Sequence, residues 1–386
     1  MLNFKKIVVY SFFLPVYWLS FLVVRKSQLW VFSAWYGKKY SDNPRYLYEY
    51  ILKHSESIDV VWLTKCPGEA KRLSQQGVKA FYCYSISGIW FQLRAGTVIC
   101  THSIADEFVS FLINCRARKV NLWHGVPLKK IGSDVYFRKD GFAKTLIRML
   151  YPFNYESYFL FASTSTRTSE IYARGFDVFL ENVKSFGYPR NDQLLAEANV
   201  LTTKGQGVRS RSILYAPTYR NDIDVKFLSA DDLTLISDLC VKYNMRFDMK
   251  LHPANFGQIN IENLQFPNIR FLDQALDLNE ILSEYDLLVS DYSGCIIDFL
   301  LLDRPILIYA FDYSKYKKDP GLYAYYDHFI EHANIAYSVD SMLEYLLTYA
   351  ENGLPSTKAE LLNFFHDNQD SLSSKRYYEY LSNPKA

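Results

Sequence analysis

Residues 119–130 read KVNLWHGVPLKK, and this stretch holds the pattern that decides the fold. An apolar run over residues 119–123 has the composition of a β-strand and ends directly at His124, after which Gly125 and Pro127 start a new segment. In parallel sheets, polar residues that directly follow a buried strand lie where α/β proteins bind their ligands. His124 is therefore a candidate for chemistry, although a lone histidine at such a position is more often structural.

The same pattern recurs on both sides of this stretch. Short β-branched runs alternate with stretches of helical spacing, which predicts parallel sheets covered by helices. The predicted strands form two series, residues 29–32, 59–64, 78–82, 97–101 and 119–123, then residues 213–216, 246–251, 269–272, 287–290 and 306–309. The predicted helices include residues 44–54, 68–76, 230–243 and 279–285. We therefore expect an α/β protein with two Rossmann-like halves.

A polar stretch over residues 194–211 contains Gly205 and Gly207 and is interpreted as the linker between the halves. The sequence predicts a membrane-associating segment at residues 1–28, an N-terminal half at residues 29–195 and a C-terminal half at residues 196–386. The tail from residue 340 onward has helical spacing and is expected to pack back across one domain. The binding site is expected in a cleft between the halves, beyond the carboxyl ends of the strands.

Composition limits the function classes. The 386 residues carry 43 basic and 41 acidic side chains, a net charge of +2, which argues against a nucleic-acid binder. The six cysteines lie far apart without a CxxC pair, so we expect no disulfide scaffold, no zinc site and a reducing compartment. The aromatic share of 17% fits a surface that meets a membrane or a ring-shaped ligand, and equally a tyrosine-rich core.

Residues 7–24, IVVYSFFLPVYWLSFLVV, contain no charge. As a helix this run would be about 27 Å long, just short of a bilayer core. Pro15, the aromatic residues and the flanking Lys5, Lys6, Arg25 and Lys26 favour an anchor that lies in the membrane interface. A membrane span and an ordinary buried helix are the alternatives.

Two clusters with arginine follow predicted strands. GYPRND at residues 187–192 places Arg190 in a turn, where the guanidinium could bind an anion or form a surface salt bridge. YAPTYR at residues 215–220 ends a buried strand at Pro217 and then displays Thr218 and Arg220. Both clusters are candidates for binding a negatively charged ligand.

Two further clusters follow strands of the second series. KLHP at residues 250–253 presents a second imidazole, His252, before Pro253. SDYSG at residues 290–294 places three polar side chains between a strand and a helix, where hydroxyls and backbone N–H groups can hold phosphate oxygens. A plain helix cap is the alternative for any one of these residues. The three side chains are Ser290, Asp291 and Ser293, and Asp298 follows them on the predicted helix.

Several common catalytic motifs are absent from the sequence. It contains no GxGxxG, no Walker loop, no HExxH and no nucleophile elbow, which argues against the usual dehydrogenases, ATPases, metalloproteases and hydrolases. The pair Asp222 and Asp224 has the spacing of a metal-binding DxD motif, but it lies in a charged loop and is better interpreted as a solvated turn.

Taken in order, the clusters resemble the motif series of the CDP-glycerol glycerophosphotransferase family, which includes teichoic-acid and capsule primases and polymerases. Val126 stands where the family commonly has Thr, and Gly294 where it commonly has Ser. The resemblance runs from about residue 30 to the C-terminus. The matching segments are residues 123–129, 187–192, 215–220, 250–253, 290–298 and 303–309, followed by the hallmark segment Ala310, Phe311, Asp312 and Tyr313.

The resemblance implies a GT-B-like fold, with two Rossmann-like domains facing a central cleft. It implies transfer of a polyol phosphate, glycerol phosphate in first place, from a CDP-linked donor to a hydroxyl of a lipid-linked saccharide, with release of CMP. CDP-ribitol remains open as the donor, as do one-unit or repeated addition and the oligomeric state. The enzyme would lie on the cytoplasmic face of the cell membrane, held by its N-terminal segment. No cofactor and no essential metal ion are expected, because the pocket is rich in hydrogen-bond donors.

The resemblance also suggests roles for residues. His124 would be the general base for the acceptor hydroxyl, and Gly125 and Lys129 would lie on the acceptor and phosphate side. His252 would assist catalysis by stabilising the leaving CMP. The residues expected to bind the CDP-linked donor are Arg190, Pro217, Thr218, Arg220, His252, Pro253, Ser290, Asp291, Ser293 and Asp298.

Two other functions remain as alternatives. A GT-B glycosyltransferase that uses a nucleotide sugar would share the fold, with Asp291 or Asp298 as the carboxylate that binds the sugar. A membrane-attached assembly factor without activity would be expected to have lost the polar residues at the strand ends. This sequence retains His124, Arg190 and Arg220, which disfavours that second alternative.

Overall fold

A computed structural model describes residues 4–135, 151–154, 157–203, 210–220, 228–251, 266–356 and 359–383. Contacts divide the chain into two compact units. The first unit comprises Met1–His124, Gly132–Asp192 and Asp370–Ala386, and the second comprises Gly125–Ile131 and Gln193–Gln369.

The first unit is built on a parallel sheet of seven strands in the order β3-β2-β1-β4-β5-β6-β7. The central strand β4 is buried along its whole length because helices cover both faces of a sheet of this kind. The strands are β1 (Lys26–Phe32), β2 (Asp59–Thr64), β3 (Ala80–Tyr82), β4 (Ala95–Cys100), β5 (Arg118–Asn121), β6 (Leu160–Ala162) and β7 (Val183–Lys184). The helices that begin in this unit are α1 (Phe4–Leu19), α2 (Asp42–His54), α3 (Pro67–Gln75), α4 (Ile86–Arg94), α5 (Ile104–Glu107), α6 (Thr166–Phe176) and α7 (Pro189–Thr203).

The second unit contains a parallel sheet of six strands in the order β10-β9-β8-β11-β12-β13. Its core includes Ile236 and Leu346, from the helices Ala230–Lys242 and Val339–Asn352, and Ile213 and Leu307 from the sheet. The strands are β8 (Arg211–Ala216), β9 (Met245–Met249), β10 (Ile269–Phe271), β11 (Leu287–Ser290), β12 (Ile306–Tyr309) and β13 (Asn334–Ala336). The helices are α8 (Ala230–Lys242), α9 (Cys295–Leu300), α10 (Tyr313–Tyr316), α11 (Ala324–His332), α12 (Val339–Asn352) and α13 (Ala359–Phe365), and the last helix of the chain, α14 (Ser373–Ser382), lies in the first unit.

The predicted α/β architecture and its ten strands are confirmed, with ends shifted by up to three residues. Strands β6, β7 and β13 were not predicted, because two or three residues are too few to establish a period. The predicted helix over residues 279–285 is instead a pair of 3₁₀ turns, Leu278–Glu280 and Leu282–Glu284. The predicted linker is helical over residues 194–203, because α7 starts at Pro189 and continues across the boundary between the units at Asp192 and Gln193.

The apolar N-terminal segment forms α1 and a short 3₁₀ turn, Ser20–Leu22. Tyr17 packs against Tyr151 and Phe153, and Phe13 stacks on Phe111 with 4.2 Å between ring centroids. In the part of the chain that the structure describes, no helix combines the length and the apolar character that crossing a membrane requires. Among the side chains of this segment that the structure describes, the large apolar ones that remain exposed are Phe12, Trp18, Leu19, Leu22 and Val24.

Candidate active site

Both sheets reverse their strand order at one point, between β1 and β4 in the first unit and between β8 and β11 in the second. Loops leave such a point in opposite directions, so a crevice opens beyond the carboxyl ends of the strands. Most of the described candidate residues lie in the segments that follow these strands and the neighbouring β5. The topology therefore explains why polar strand ends are the places to look for chemistry.

His124, the predicted general base, is surrounded by rings. Its imidazole stacks on that of His102 with 4.3 Å between centroids, and the Trp123 ring lies 4.1 Å away. Burial, the neighbouring His102 and the Arg190 guanidinium lower the pKa of His124 to about 3. The imidazole is therefore neutral at pH 7, and it remains partly exposed. A pKa this low also makes it a weak base, so accepting a proton from a substrate requires that a bound phosphate raise the pKa of His124 toward neutrality.

The tautomer of His124 is set by the backbone. Its Nδ1 lies 3.5 Å from the carbonyl oxygen of Thr101, which can only accept a hydrogen bond. This contact favours a proton on Nδ1 and leaves the lone pair on Nε2. Nε2 is thus the basic atom of the site.

His102 is a site residue that the sequence pattern did not single out. Its Nδ1 lies 2.8 Å from the Thr101 hydroxyl and 3.3 Å from a carboxylate oxygen of Glu107. Glu107 is fully buried and accepts the backbone N–H groups of Thr101 and His102 at 3.1 and 2.8 Å. A buried carboxylate held in this way positions the imidazole of His102, and the ring of His124 stacks on that imidazole. The sequence did contain a signal for this residue, because His102 follows β4 much as His124 follows β5.

A buried ion pair fastens the segment that carries His124. Arg190, in the first turn of α7, donates to Asp42 Oδ1 at 2.9 Å and to the carbonyl of His124 at 2.8 Å. The Asn43 side-chain amide donates to the carbonyl of Trp123 at 2.9 Å. Trp123 needs this support because its backbone has a positive φ of 51°, which a residue with a bulky side chain rarely adopts. Arg190 thus positions His124, and its predicted contact with the donor stays a prediction.

Arg220 is the centre of a buried ion cluster in the second unit. Its guanidinium donates to Asp291 at 2.8 Å, to Asp312 at 2.7 Å and to the carbonyl of Thr218 at 2.7 Å. It also lies over the Tyr316 ring, 4.6 Å from its centroid. Burial alone would lower the pKa of Arg220, but the two carboxylates raise it, so the group stays charged. Arg220 therefore holds the segment after β8 in place.

Asp291 joins the segments that follow β8 and β11. Its Oδ1 accepts the backbone N–H of Thr218 at 2.8 Å and that of Tyr292 at 2.6 Å. The Thr218 hydroxyl, by contrast, is buried and finds no hydrogen-bond partner among the described residues. Because a buried hydroxyl without a partner costs free energy, Thr218 is the residue of this cluster best prepared for a ligand.

Lys129 supplies a second cation to the same unit. Its Nζ lies 5.8 Å from the centroid of the Tyr316 ring. Burial lowers the pKa of Lys129, and the charge of Asp291 partly opposes that shift. A bound anion would favour the charged ammonium in the same way, which makes Lys129 suited to a phosphate.

The two departures from the family pattern are neighbours in the second unit. A Cβ atom on Gly294 would lie 3.1 Å from the carbonyl oxygen of Val126. This distance is tighter than most real Cβ contacts, so the Val126 backbone would have to shift slightly to admit the serine that is common in the family. The close approach of these two residues gives a steric reason for glycine at position 294.

The other predicted residues differ in what they can offer a ligand. Ser290 is fully buried and donates its hydroxyl to the carbonyl of Ala216 at 2.6 Å, whereas Ser293 is partly exposed just before α9. Gly125, Pro217 and Asp298 are buried. His252 and Pro253 lie outside the described residues, as do Asp222 and Asp224.

A cavity of about 470 Å³ lies beyond the carboxyl ends of β12 and β13. Three aromatic residues line it, Phe311, Tyr313 and Tyr337, together with Asp312. Asp312 also binds Arg220, so the cavity is directly connected to the ion cluster. Ser314 and Lys315 also line the cavity, so its wall combines aromatic rings with polar groups, which suits a polar heteroaromatic ring.

Comparisons with solved structures agree with this fold. The wall teichoic acid polymerase TagF is 21% identical, with a TM-score of 0.73 over 98% of this chain and 95% of that one. A UDP-GlcNAc 2-epimerase from Neisseria meningitidis is 13% identical, with a TM-score of 0.53 over 92% of this chain and 99% of that one. At these identities the likeness shows the fold alone, an α/β fold with two parallel sheets that is GT-B-like.

Comparisons of sequence identify the family. A teichoic acid glycerol-phosphate transferase from Staphylococcus aureus is 28% identical over 342 residues, 81% of each chain. A teichoic acid poly(glycerol phosphate) polymerase from Staphylococcus epidermidis is 27% identical over 78% of this chain and 42% of its own length. The family model described as CDP-Glycerol:Poly(glycerophosphate) glycerophosphotransferase matches residues 16–383. The resemblance drawn from the motifs is thereby confirmed, and the chain belongs to this glycerophosphotransferase family.

Proposed function

We propose that this enzyme transfers glycerol phosphate from CDP-glycerol to a hydroxyl of a lipid-linked saccharide, releasing CMP, in teichoic-acid or capsular polymer biosynthesis. The observation that carries the proposal is the neutral, partly exposed His124, oriented by the backbone at the WHG motif. The names of the relatives support the reaction class, and TagF has been solved after a soak with CDPG. Family membership also disfavours the glycosyltransferase alternative.

In the proposed reaction the acceptor hydroxyl attacks the phosphorus that bears glycerol. The bond from the acceptor oxygen to phosphorus forms, and the bond from that phosphorus to the bridging oxygen of CMP breaks. Nε2 of His124 accepts the hydroxyl proton, and CMP leaves with the bonding electron pair. An imidazole that is neutral before the reaction can perform this step without first losing a proton.

The leaving CMP and the transferred phosphoryl group carry the negative charge of the transition state. Lys129, the Thr218 hydroxyl and Ser293 are the described groups of the second unit that we assign to these oxygens. Arg220 acts behind them by fixing the segment that carries Thr218. The roles of His252 and Pro253 rest on the family resemblance.

We propose glycerol as the polyol because a glycerol-phosphate transferase is 28% identical over 81% of this chain and the matching family model is described as a glycerophosphotransferase. Ribitol-phosphate polymerases match 62% of this chain in Staphylococcus aureus and 93% of it, at 24% identity, in Bacillus spizizenii, so CDP-ribitol is the alternative donor. The aromatic cavity with Asp312 is a place where the cytosine ring, common to both donors, would fit. The choice of polyol then depends on contacts around the transferred phosphate.

The direct test is nucleotide release by the purified protein, with CDP-glycerol, CDP-ribitol or a UDP-sugar and a lipid-linked disaccharide acceptor. CMP release from CDP-glycerol alone supports the proposal, and persistence in EDTA supports a reaction without an essential metal ion. Release of CMP from CDP-ribitol alone would identify ribitol, and not glycerol, as the transferred polyol. UDP release, or release that does not depend on the acceptor, would contradict the proposed transfer.

We also propose that α1 and the turn after it dock on the cytoplasmic face of the membrane, where a lipid-linked acceptor is available. Phe12 is 74% exposed, and Trp18, Leu22 and Val24 are exposed beside it along the chain. Aromatic and aliphatic side chains of this kind favour the interface between water and lipid. The docking side chains lie within one short segment, so the proposal can be tested by single substitutions.

Liposome co-sedimentation tests the docking segment. Phe12→Ser should reduce binding to vesicles that contain anionic lipid, because it removes a large apolar side chain from the contact. Phe179→Ser is the matched control, since Phe179 is also 74% exposed but lies outside the segment. Equal binding by the two variants would contradict the assignment.

A further inference from the structure

Two histidines of helix α11 lie on one face of that helix, whose Tyr326 hydroxyl donates to the carbonyl of Asp291. His328 and His332 are four residues apart, so their side chains lie above one another, and Glu360 of helix α13 faces both. One ligand atom from each of the three residues lies within 4.8 Å of the others. All three are accessible to solvent in part or in full, so an ion could reach them.

The distances match the edges of a metal coordination shell. Nε2 of His332 lies 3.4 Å from one oxygen of Glu360, and Nε2 of His328 lies 3.7 Å from the other. With bonds of about 2.0–2.1 Å, two ligand atoms around a tetrahedral Zn²⁺ are separated by about 3.3–3.4 Å. Small side-chain rotations would bring these atoms onto such a shell.

The remaining ring nitrogens are held as metal-binding histidines usually are. Nδ1 of His332 lies 2.8 Å from the carbonyl oxygen of His328, which requires the proton on Nδ1 and leaves the lone pair on Nε2, facing Glu360. Nδ1 of His328 faces the Glu331 carboxylate at 3.8 Å. Both imidazoles therefore have an outer partner for one nitrogen and present the other to Glu360.

We propose that His328, His332 and Glu360 form a Zn²⁺ site that joins helices α11 and α13. Two imidazole nitrogens and one carboxylate oxygen are a donor set that zinc favours, and the fourth position would be taken by water. Residues Tyr326 and Phe329 of the same helix are fully buried, so α11 is fixed to the core while its histidines face α13. The proposed role is structural and is separate from the transfer reaction, for which no metal ion is assigned.

The test is isothermal titration of ZnCl₂ into the full-length, tag-free protein after dialysis against EDTA. One zinc ion per chain should bind, and His332→Gln and Glu360→Gln should each weaken that event by about 10-fold or more. His54→Gln is the matched control, because His54 is exposed on α2 outside the cluster. Far-ultraviolet circular dichroism shows that each variant is folded.

The outcomes separate cleanly. Loss of affinity in both cluster variants with retention in His54→Gln supports the site. The proposal is overturned if the unaltered protein does not bind zinc. It is also overturned if both cluster variants bind zinc as tightly as the unaltered protein does. Unchanged affinity in Glu360→Gln alone would also overturn the site as proposed, since the carboxylate is its third ligand.

Discussion

The segment after β5 in the first unit and the segment after β8 in the second both begin where a parallel strand ends, but they bury opposite kinds of group. His124 is a base that its surroundings keep neutral, with its pKa lowered to about 3 by burial, His102 and Arg190. Arg220 is a cation that two carboxylates keep charged. The difference fits the proposed roles, in which the first group accepts a proton and the second maintains the shape of a binding segment.

Both segments depend on buried arginines, yet in different ways. Arg190 acts on the backbone, because it binds Asp42 and the carbonyl of His124. Arg220 binds Asp291 and Asp312 together and supports Thr218 through its carbonyl. Substitutions in the two segments should therefore affect different measured quantities.

The largest effect is expected at the base. His124→Asn should reduce turnover, measured as CMP release, by about two to four orders of magnitude, because it removes the proton acceptor. The fold should persist, as circular dichroism would show. His54→Asn, which changes an exposed histidine on α2, should retain the wild-type rate. Comparable turnover in both variants would remove His124 from the mechanism.

The next effect is expected in stability. Arg220→Gln leaves the Asp291 and Asp312 carboxylates buried without their counter-charge, and should lower the free energy of unfolding by about 3–5 kcal/mol. Arg174→Gln breaks a surface pair with Asp134 and should cost at most about 1 kcal/mol. Urea unfolding measures both. Similar losses in the two variants would show that the Arg220 cluster is not a buried ion network.

The third effect concerns pH. Because the pKa of His124 lies near 3 in the folded chain and about 6.5 in an unfolded one, only the unfolded chain binds this proton between those values. The free energy of unfolding should therefore fall as the pH is lowered from about 6.5, by at most about 1.4 kcal/mol per pH unit from this group. His124→Gln should remove that part of the slope. Parallel profiles for the two proteins between about pH 7 and pH 5 would contradict the lowered pKa.

The smallest effect is expected beside Val126. Gly294→Ser places a Cβ atom 3.1 Å from the Val126 carbonyl oxygen and should cost about 1 kcal/mol in the free energy of unfolding. Gly68→Ser is the control, because a Cβ atom there meets nothing within 4 Å. If Gly294→Ser is as stable as Gly68→Ser, the Val126 backbone shifts without a measurable loss in the free energy of unfolding.

The sequence was sufficient for the architecture because apolar periodicity and strand spacing are local signals. It placed His124, Thr218 and Arg220 at strand ends, and the structure finds all three in the segments after β5 and β8. The helix over residues 194–203 was not predicted, because their mixed polar composition concealed a helix that starts at Pro189.

The sequence could not show which charged side chains form ion pairs with one another. Asp42 and Arg190 are 148 positions apart, and Arg220 and Asp312 are 92 apart, so their pairing depends on the tertiary fold. Without these partners, Arg190 and Asp291 are interpreted only as donor-binding residues. The structure shows that each also binds protein groups, and their contact with the donor stays a prediction. His102 and Glu107 could have been connected only through their local loop, whose geometry the sequence pattern does not define.

The central claim is that proton transfer and donor binding depend on separate groups, and CDP-glycerol affinity tests it most directly. By titration calorimetry, His124→Asn should bind CDP-glycerol as the unaltered protein does. Thr218→Val, which keeps the shape of the side chain but removes the buried hydroxyl, should bind the donor at least about 10-fold more weakly, as expected for a hydrogen bond to a charged group. The reverse pattern, with donor binding lost in His124→Asn and kept in Thr218→Val, would contradict the account.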